Sequence, residues 1–153
     1  MDPIAVATGE QMQNRIMYKQ YLQAGSFKVM QIDATRVAGP QEIVLEYLLA
    51  NKFGVRVCPH AGGVGLCEVV RHFAMFDYLA VSGQWDDRVI EYVDNQHEYF
   101  VHPTEIVNGR YKAPTAPGSG VDETRSRRTV PVQGLIAAPR CRGSHGHERN
   151  KGH

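Results

Sequence analysis

Short apolar runs alternate with longer amphipathic stretches along most of the chain. A short apolar run bounded by polar residues is typical of a buried β-strand, whereas apolar residues three and four apart are typical of an α-helix. The predicted strands are 4–8, 27–33, 55–58, 78–82 and 89–93, and the predicted helices are 14–25, 40–54 and 66–76. Strands that alternate with helices in this way predict βα units, a parallel sheet and therefore an α/β fold.

The predicted helices also carry residues that ordinarily start and stop helices. Pro40 is a favoured first helical residue, and Gly25 and Gly54 are favoured stop signals. The second helix should have one buried face. The apolar residues expected on that face are Ile43, Val44, Tyr47, Leu48 and Phe53.

The composition is that of a soluble globular protein with one ordinary domain. The chain has 153 residues, of which 42% are hydrophobic and 22% are charged, and no apolar run is long enough to span a membrane. The opening stretch MDPIAVATGE has no basic region and no apolar core, so we expect no secretory signal. Cys58 and Cys67 lie in apolar surroundings and Cys141 in a polar stretch, so we expect free thiols and a cytoplasmic location.

The strand and helix pattern fails from residue 113, where APTAPGSG has the composition of a linker. We therefore predict an ordered part over 1–118 and a disordered, low-order tail over 119–153. Residues 121–153 are basic, with seven of the 17 Lys and Arg residues and three of the 16 acidic ones. Weak transition-metal ligands in this tail are Cys141, His145, His147 and His153. Its arginines could contact nucleic acid, but we favour a solvated tail and expect neither a nucleic-acid nor a membrane partner.

Polar side chains stand at the ends of several predicted strands. Glu10 follows the first strand, Asp33 ends the second, His60 follows the third, and Glu91 and Asp94 belong to the last. In α/β folds the carboxyl ends of parallel strands share one edge, where catalytic residues collect. A carboxylate can bind Mg²⁺, an aspartate can fix the tautomer of a neighbouring histidine, and a glutamate can donate a hydrogen bond to developing negative charge.

Each of these residues also has an ordinary structural interpretation. Glu10 could lie in a solvated turn, Asp33 could cap the next turn, His60 could be a hydrogen-bonded loop residue, and Glu91 could be exposed on a strand. The residue pattern leaves both interpretations open.

The sequence AGGVGLCE, residues 61–68, suggests two other sites, and we favour neither. It lies between a strand and a helix, as a dinucleotide-binding loop does, but Glu68 stands where that motif needs a third small residue. Cys58, His60 and Cys67 could form a soft-metal site. Their spacing is not typical of zinc sites, and we expect Cys67 to face the core.

Five segments carry a resemblance to a known family over roughly residues 3–118. They are VATGE (6–10), QNRIMYKQYLQAG (13–25), MQIDATRV (30–37), KFGVRVCPHAGGVGLCEVVRH (52–72) and EYVDNQHEYF (91–100). Together they resemble the C-terminal part of the L-fuconate dehydratase family, in the mandelate-racemase branch of the enolase superfamily.

This resemblance implies a partial (β/α) TIM barrel that contains roughly the last four βα units. It also implies that Glu10 binds an essential Mg²⁺, that Asp33 and His60 form a proton-transferring dyad, and that Glu91 is an acid that stabilises an enediolate. The implied reaction is that of a lyase, which removes water from an L-fuconate-like acid sugar to give a 2-keto-3-deoxy acid.

The chain departs from the family in ways that affect these expectations. It has no match to the family's Lys-x-Lys motif, to two further carboxylate ligands of Mg²⁺ or to the capping domain. We therefore expect weak or absent Mg²⁺ binding and no activity of the chain alone. The open edges of a half-barrel also favour an alternative function, a non-catalytic protein that pairs with a partner chain or with itself.

Overall fold

The structure is a computed structural model, and it describes residues 4–122. Three strands, β1 (Ala7–Thr8), β2 (Val29–Met30) and β3 (Arg56–Val57), pair in parallel in that order. A helix follows each strand, and these helices are α1 (Arg15–Gln23), α2 (Pro40–Lys52) and α3 (Leu66–Phe76). This alternation confirms the predicted α/β fold, whereas closure into part of a barrel stays a prediction.

Local signals explain where the helices begin and end. Asn14 caps α1, because its side-chain oxygen accepts hydrogen bonds from the backbone N–H groups of Ile16 and Met17, both at 3.1 Å. Helix α2 begins at Pro40, as predicted. Gly54, with a φ of +65°, follows its end in the left-handed conformation that glycine adopts most readily.

The main core lies where α1 and α2 pack on the sheet. Its buried side chains include Tyr18, Leu22, Met30, Ile43, Tyr47, Ala50 and Val57. The buried face of α2 differs from the prediction, since Leu48 is 46% exposed and Phe53 is 37% exposed. Glu46 is buried instead, next to Tyr47, and this buried carboxyl was not anticipated from the apolar pattern.

The predicted strand at 78–82 is wrong. Residues Asp77–Ser82 form a π-helix that directly continues α3. No glycine or proline interrupts the chain until Gly83, so the helical backbone runs on through this apolar stretch.

The predicted strand at 89–93 is not formed either, although this segment lies beside the chain that follows β3. The N–H of Glu91 donates to the carbonyl of Pro59 at 3.3 Å. In a parallel ladder the N–H of Ala61 would then donate to the carbonyl of Glu91. The N–H of Ala61 donates to the side chain of Glu91 instead, and the backbone carbonyl of Glu91 accepts a hydrogen bond from the hydroxyl of Tyr111. The ladder therefore stops after one backbone bond.

The rest of the described chain forms short elements that the sequence pattern did not indicate. A 3₁₀-helix spans His97–Tyr99, and the strands β4 (Ile106–Val107) and β5 (Arg110–Tyr111) form an antiparallel hairpin. Within residues 4–122, no helix has both the length and the apolar character needed to cross a membrane. The predicted tail falls almost wholly outside the described residues, as do Cys141, His145, His147 and His153.

Candidate functional site

A tight turn after β1 places Glu10 at the carboxyl edge of the sheet. Gly9 has a φ of +130°, and a Cβ atom at this position would lie 2.7 Å from the carbonyl oxygen of Gln31. A larger residue would therefore be strained by its backbone and would collide with the backbone of Gln31, just after β2. The Tyr18 hydroxyl lies 2.9 Å from the carbonyl oxygens of both Gly9 and Gln31, so α1 fixes this turn.

The next two strand ends bring Asp33 and His60 together. The two residues form an isolated parallel bridge beyond β2 and β3, and the N–H of His60 donates to the carbonyl of Ile32 at 3.0 Å. Asp33 is buried, and its Oδ2 lies 3.0 Å from Nδ1 of His60. An ionised Asp33 can only accept a hydrogen bond from Nδ1, so Nδ1 carries the ring proton. In a neutral imidazole the free lone pair is then on Nε2.

Two residues missed at the sequence level support the Asp33 carboxylate. The N–H and the hydroxyl of Thr35 both donate to Oδ1 at 2.7 Å, and Nε of Arg36 donates to Oδ2 at 3.0 Å. Burial by itself would disfavour the charged form, but these hydrogen bonds and the nearby His60 together lower the pKa of Asp33 below its ordinary value. The signal was present in the stretch DATR, because Asp-x-Thr often forms a side-chain-capped turn.

Glu91 reaches the same place from the segment that was predicted as the last strand. Its Oε2 accepts the N–H of Ala61 at 2.7 Å. Its backbone carbonyl accepts the hydroxyl of Tyr111 at 2.5 Å, which ties it to β5. The glutamate is thus held on both its side chain and its backbone. Asp94 lies further along and is 3.4 Å from Nδ1 of His97 instead.

The four sequence-predicted residues meet around one imidazole. Nε2 of His60 lies 3.4 Å from Oε2 of Glu10 and 3.6 Å from Oε2 of Glu91, while Asp33 holds the other ring nitrogen. The side chains of Glu10 and Glu91 are 37% and 34% exposed, so this end of the ring faces an accessible space. The arrangement is that of an oriented base with two further carboxyl groups close to its reactive nitrogen.

This geometry can be compared with known proteins. A sequence profile of the family described as enolase C-terminal domain-like matches residues 2–126. The chain belongs to this family. It is 52% identical over 115 residues to mitochondrial enolase superfamily member 1 of Xenopus laevis and 46% identical over 119 residues to L-galactonate dehydratase of Hypocrea jecorina. These matches cover 75% and 78% of the chain but 26% of each relative, so the chain spans about a quarter of their length.

Solved structures of this family show the same fold. The crystal structure of human mitochondrial enolase superfamily member 1 matches with a TM-score of 0.77 and 46% identity, over 80% of this chain and 28% of the human one. L-talarate dehydratase from Polaromonas sp. JS666, crystallised with Mg and L-glucarate, matches with a TM-score of 0.68 and 22% identity, over 82% of this chain and 32% of that one. The family assignment confirms the coarse resemblance to the enolase superfamily, whereas L-fuconate dehydratase in particular stays a prediction.

Residues 4–122 do not by themselves form a site for the Mg²⁺ that the sequence resemblance implies. Within residues 4–122, no group of three His, Cys, Asp or Glu side chains is arranged to hold a metal ion. Glu10 offers one carboxylate, and a hard divalent cation requires several oxygen ligands. The soft-metal alternative also finds no support, because Cys67 is buried with its Sγ 3.4 Å from the carbonyl oxygen of Val93.

Proposed function

We propose that this chain carries the proton-transfer part of the active site of an acid-sugar dehydratase, with His60 as the base. The observation that supports this most directly is the orientation of His60. Asp33 is buried and hydrogen-bonded on one side of the ring, and Nε2 faces an accessible space on the other.

In the proposed reaction, Nε2 of His60 removes the proton from the carbon next to the substrate carboxylate. The C–H bond breaks, its electron pair moves into the carboxylate to form an enediolate, and the proton stays on Nε2. Asp33 stabilises the resulting imidazolium because its carboxylate is already ionised and paired with Nδ1. In this proposal Glu91 is the acid that donates a hydrogen bond to the negative charge that develops.

The second half of the reaction expels the hydroxyl group on the neighbouring carbon. The enediolate electrons form a C=C bond as the C–O bond breaks. The departing oxygen takes the proton that Nε2 of His60 holds and leaves as water, which restores the base. The enol product then becomes the 2-keto-3-deoxy acid. Glu10, 3.4 Å from Nε2 of His60, lies where it would face the carboxylate end of the substrate.

The charges around His60 explain why we expect no turnover by the chain alone. Glu10 and Asp33 place two further carboxyl groups beside His60, and among residues 4–122 the cation paired with Asp33 is Arg36. An anionic substrate entering this cluster would be repelled, and its enediolate would be repelled more strongly. Additional positive charge from outside these residues is needed before the dyad can work.

A chimera provides the test. The 119-residue stretch of the Hypocrea jecorina L-galactonate dehydratase that aligns with this chain would be replaced by the matching residues of this chain. We expect the chimera to dehydrate an acid sugar in the presence of Mg²⁺, and His60→Asn to lower kcat by about 10²- to 10⁴-fold. His102→Asn, an exposed histidine, is the matched control and should leave kcat unchanged. A folded chimera that is equally active with Asn at position 60 would refute the proposal.

The same chimera distinguishes two substrates. L-fuconate is L-galactonate without its terminal hydroxyl group, so the two acids present the same reacting carbons to His60. We propose an L-fuconate-like acid as the substrate class. The ratio of kcat/KM for the two acids measures how strongly the enzyme discriminates between a methyl and a hydroxymethyl group at that end of the substrate. Formation of the 2-keto acid can be followed by its reaction with semicarbazide.

A second candidate function is that of a non-catalytic half-barrel that pairs with a partner chain or with itself. The observation that favours it is the edge of the three-stranded sheet, where β1 has one neighbouring strand among the described residues. Beside it, Ile4 is 76% exposed and Val6 is 38% exposed. Exposed apolar edges favour strand pairing between chains. Sedimentation equilibrium of the full chain should then show a dimer that Val6→Lys dissociates, and a monomer at every concentration would exclude self-pairing.

A further inference from the structure

Helix α3 carries a buried guanidinium group that the site around His60 does not use. Arg71 is 7% exposed, and its Nε donates to the backbone carbonyl of Glu68 at 3.2 Å. No carboxylate oxygen of residues 4–122 lies within 4.0 Å of its guanidinium nitrogens. Burial of a charge without a counter-charge is costly, so this position favours binding of an anion.

The Arg71 side chain borders a cavity of about 180 Å³ between α3 and the chain that follows the 3₁₀-helix. The other lining residues that matter are His102, Glu105, Lys112, Thr115 and Gly120. A Cβ atom at Gly120 would lie 2.6 Å from Nη2 of Arg71, so the guanidinium packs directly on the backbone of Gly120 and occupies the place that a side chain would need.

Backbone contacts hold the walls of this cavity. The N–H of Val101 donates to the carbonyl of Asp122 at 2.8 Å, and the N–H of Lys112 donates to the carbonyl of Glu105 at 2.9 Å. Nε2 of His72 lies 3.1 Å from the carbonyl oxygen of Ser119, which ties the far wall to α3. The cavity is therefore formed by ordered chain on several sides.

The balance of charge in the cavity is positive. Glu105 is paired with Lys112 at 2.8 Å, and both side chains are more than half exposed, so among residues 4–122 this carboxylate balances Lys112 and not Arg71. His102 also lines the cavity. We propose that this cavity binds a small oxyanion of the phosphate type, with the guanidinium of Arg71 as the main donor and the ammonium of Lys112 at the rim as a second cation.

This site is separate from the one around His60. None of Glu10, Asp33, His60 or Glu91 lines the cavity. The proposal therefore stands independently of the dehydratase reaction, and its test needs no turnover.

The test is a titration of the full chain with inorganic phosphate, followed by amide chemical shifts in NMR and by calorimetry. We expect saturable shifts at the amides of Val101, Lys112 and Gly120. Arg71→Gln should weaken binding at least tenfold, because it removes a charged donor from a buried site. Arg110→Gln removes one exposed guanidinium from outside the cavity and is the matched control, expected to change binding less than twofold.

A second variant keeps the proposal testable if Arg71→Gln does not fold. Lys112 is exposed, so Lys112→Gln should fold normally and should weaken phosphate binding about threefold by removing one nearby charge. Glucose 6-phosphate in place of phosphate shows whether a free ion or a phosphate ester fits better. The proposal is overturned if phosphate causes no saturable shifts at the lining amides, or if Arg110→Gln weakens binding as much as the cavity variants do.

Discussion

Glu46 gives this protein a stability that should fall as the pH rises. Its side chain is fully buried on α2, and neither carboxyl oxygen has a hydrogen-bond partner among residues 4–122. Burial, and then the negative charge of Glu42 one turn earlier, raise the pKa of Glu46 to about 8. The folded protein therefore keeps a proton here that the unfolded chain releases at much lower pH.

The size of the effect follows from the two pKa values. An unperturbed glutamate has a pKa of about 4.3, and each pH unit between the two values is worth about 1.4 kcal/mol. Because the folded state binds the proton more tightly, stability is greatest below the unfolded pKa and is lost as the pH rises toward about 8. From pH 5 to pH 7.5 the free energy of unfolding should fall by about 3 kcal/mol through this one group.

The perturbation is Glu46→Gln, which keeps the shape of the side chain and cannot ionise. Urea unfolding curves of both proteins at half-unit pH steps give the difference in free energy, from which other titrating groups largely cancel. We expect similar stabilities at pH 5 and a variant that is more stable by about 3 kcal/mol at pH 7.5.

Glu98→Gln, at an exposed glutamate, is the control and should track the wild type across this range. A difference between Glu46→Gln and wild type that stays constant from pH 5 to pH 7.5 would show that Glu46 is already ionised in the folded protein. That result would refute the reasoning from burial.

Two further predictions concern the turn that carries Glu10. Gly9→Ala should lower the free energy of unfolding by about 2 kcal/mol or more, because the new Cβ atom collides with a backbone oxygen. Gly54→Ala, which has open space around it, should lower it by about 1 kcal/mol, and urea denaturation compares the two variants. Tyr18→Phe should lower the free energy of unfolding by about 1 to 2 kcal/mol, because the buried Tyr18 hydroxyl no longer bonds to the carbonyls of Gly9 and Gln31. Tyr21→Phe, at a side chain that is 45% exposed, should be neutral in the same assay, and equal losses would contradict the role of the Tyr18 hydroxyl.

The sequence predicted those parts of the fold that local signals determine. Helix α3 begins and ends where its amphipathic pattern does, and α2 begins at Pro40. The run 78–82 shows the limit, since five apolar and small residues are compatible with either a strand or a helix until the preceding helix is known to continue. The buried face of α2 was misjudged because Glu46 shares that face with Tyr47, and the burial of a charged residue is not visible in an apolar pattern.

The candidate site could be predicted as a set of strand ends but not as a geometry. Polar residues after β1, β2 and β3 had to share an edge if the sheet was parallel, and His60 does lie between Asp33 and Glu10. Glu91 reaches the same edge without a strand, through bonds to Ala61 and Tyr111 that depend on packing far along the chain. The contribution of Arg36 was missed because an arginine three residues after an aspartate has many possible partners.

The bond from Ala61 to Glu91 affects how mutations of this glutamate should be interpreted. A shortened side chain at position 91 removes a carboxyl group from the site and also leaves the amide of Ala61 without its acceptor. Ala61 directly follows His60, so Glu91→Ala would loosen the position of His60 and at the same time remove the carboxyl group of Glu91. Glu91→Gln keeps an oxygen acceptor for Ala61 and abolishes the acid alone. Comparison of the two variants therefore separates the chemical contribution of Glu91 from its contribution to the placement of the imidazole.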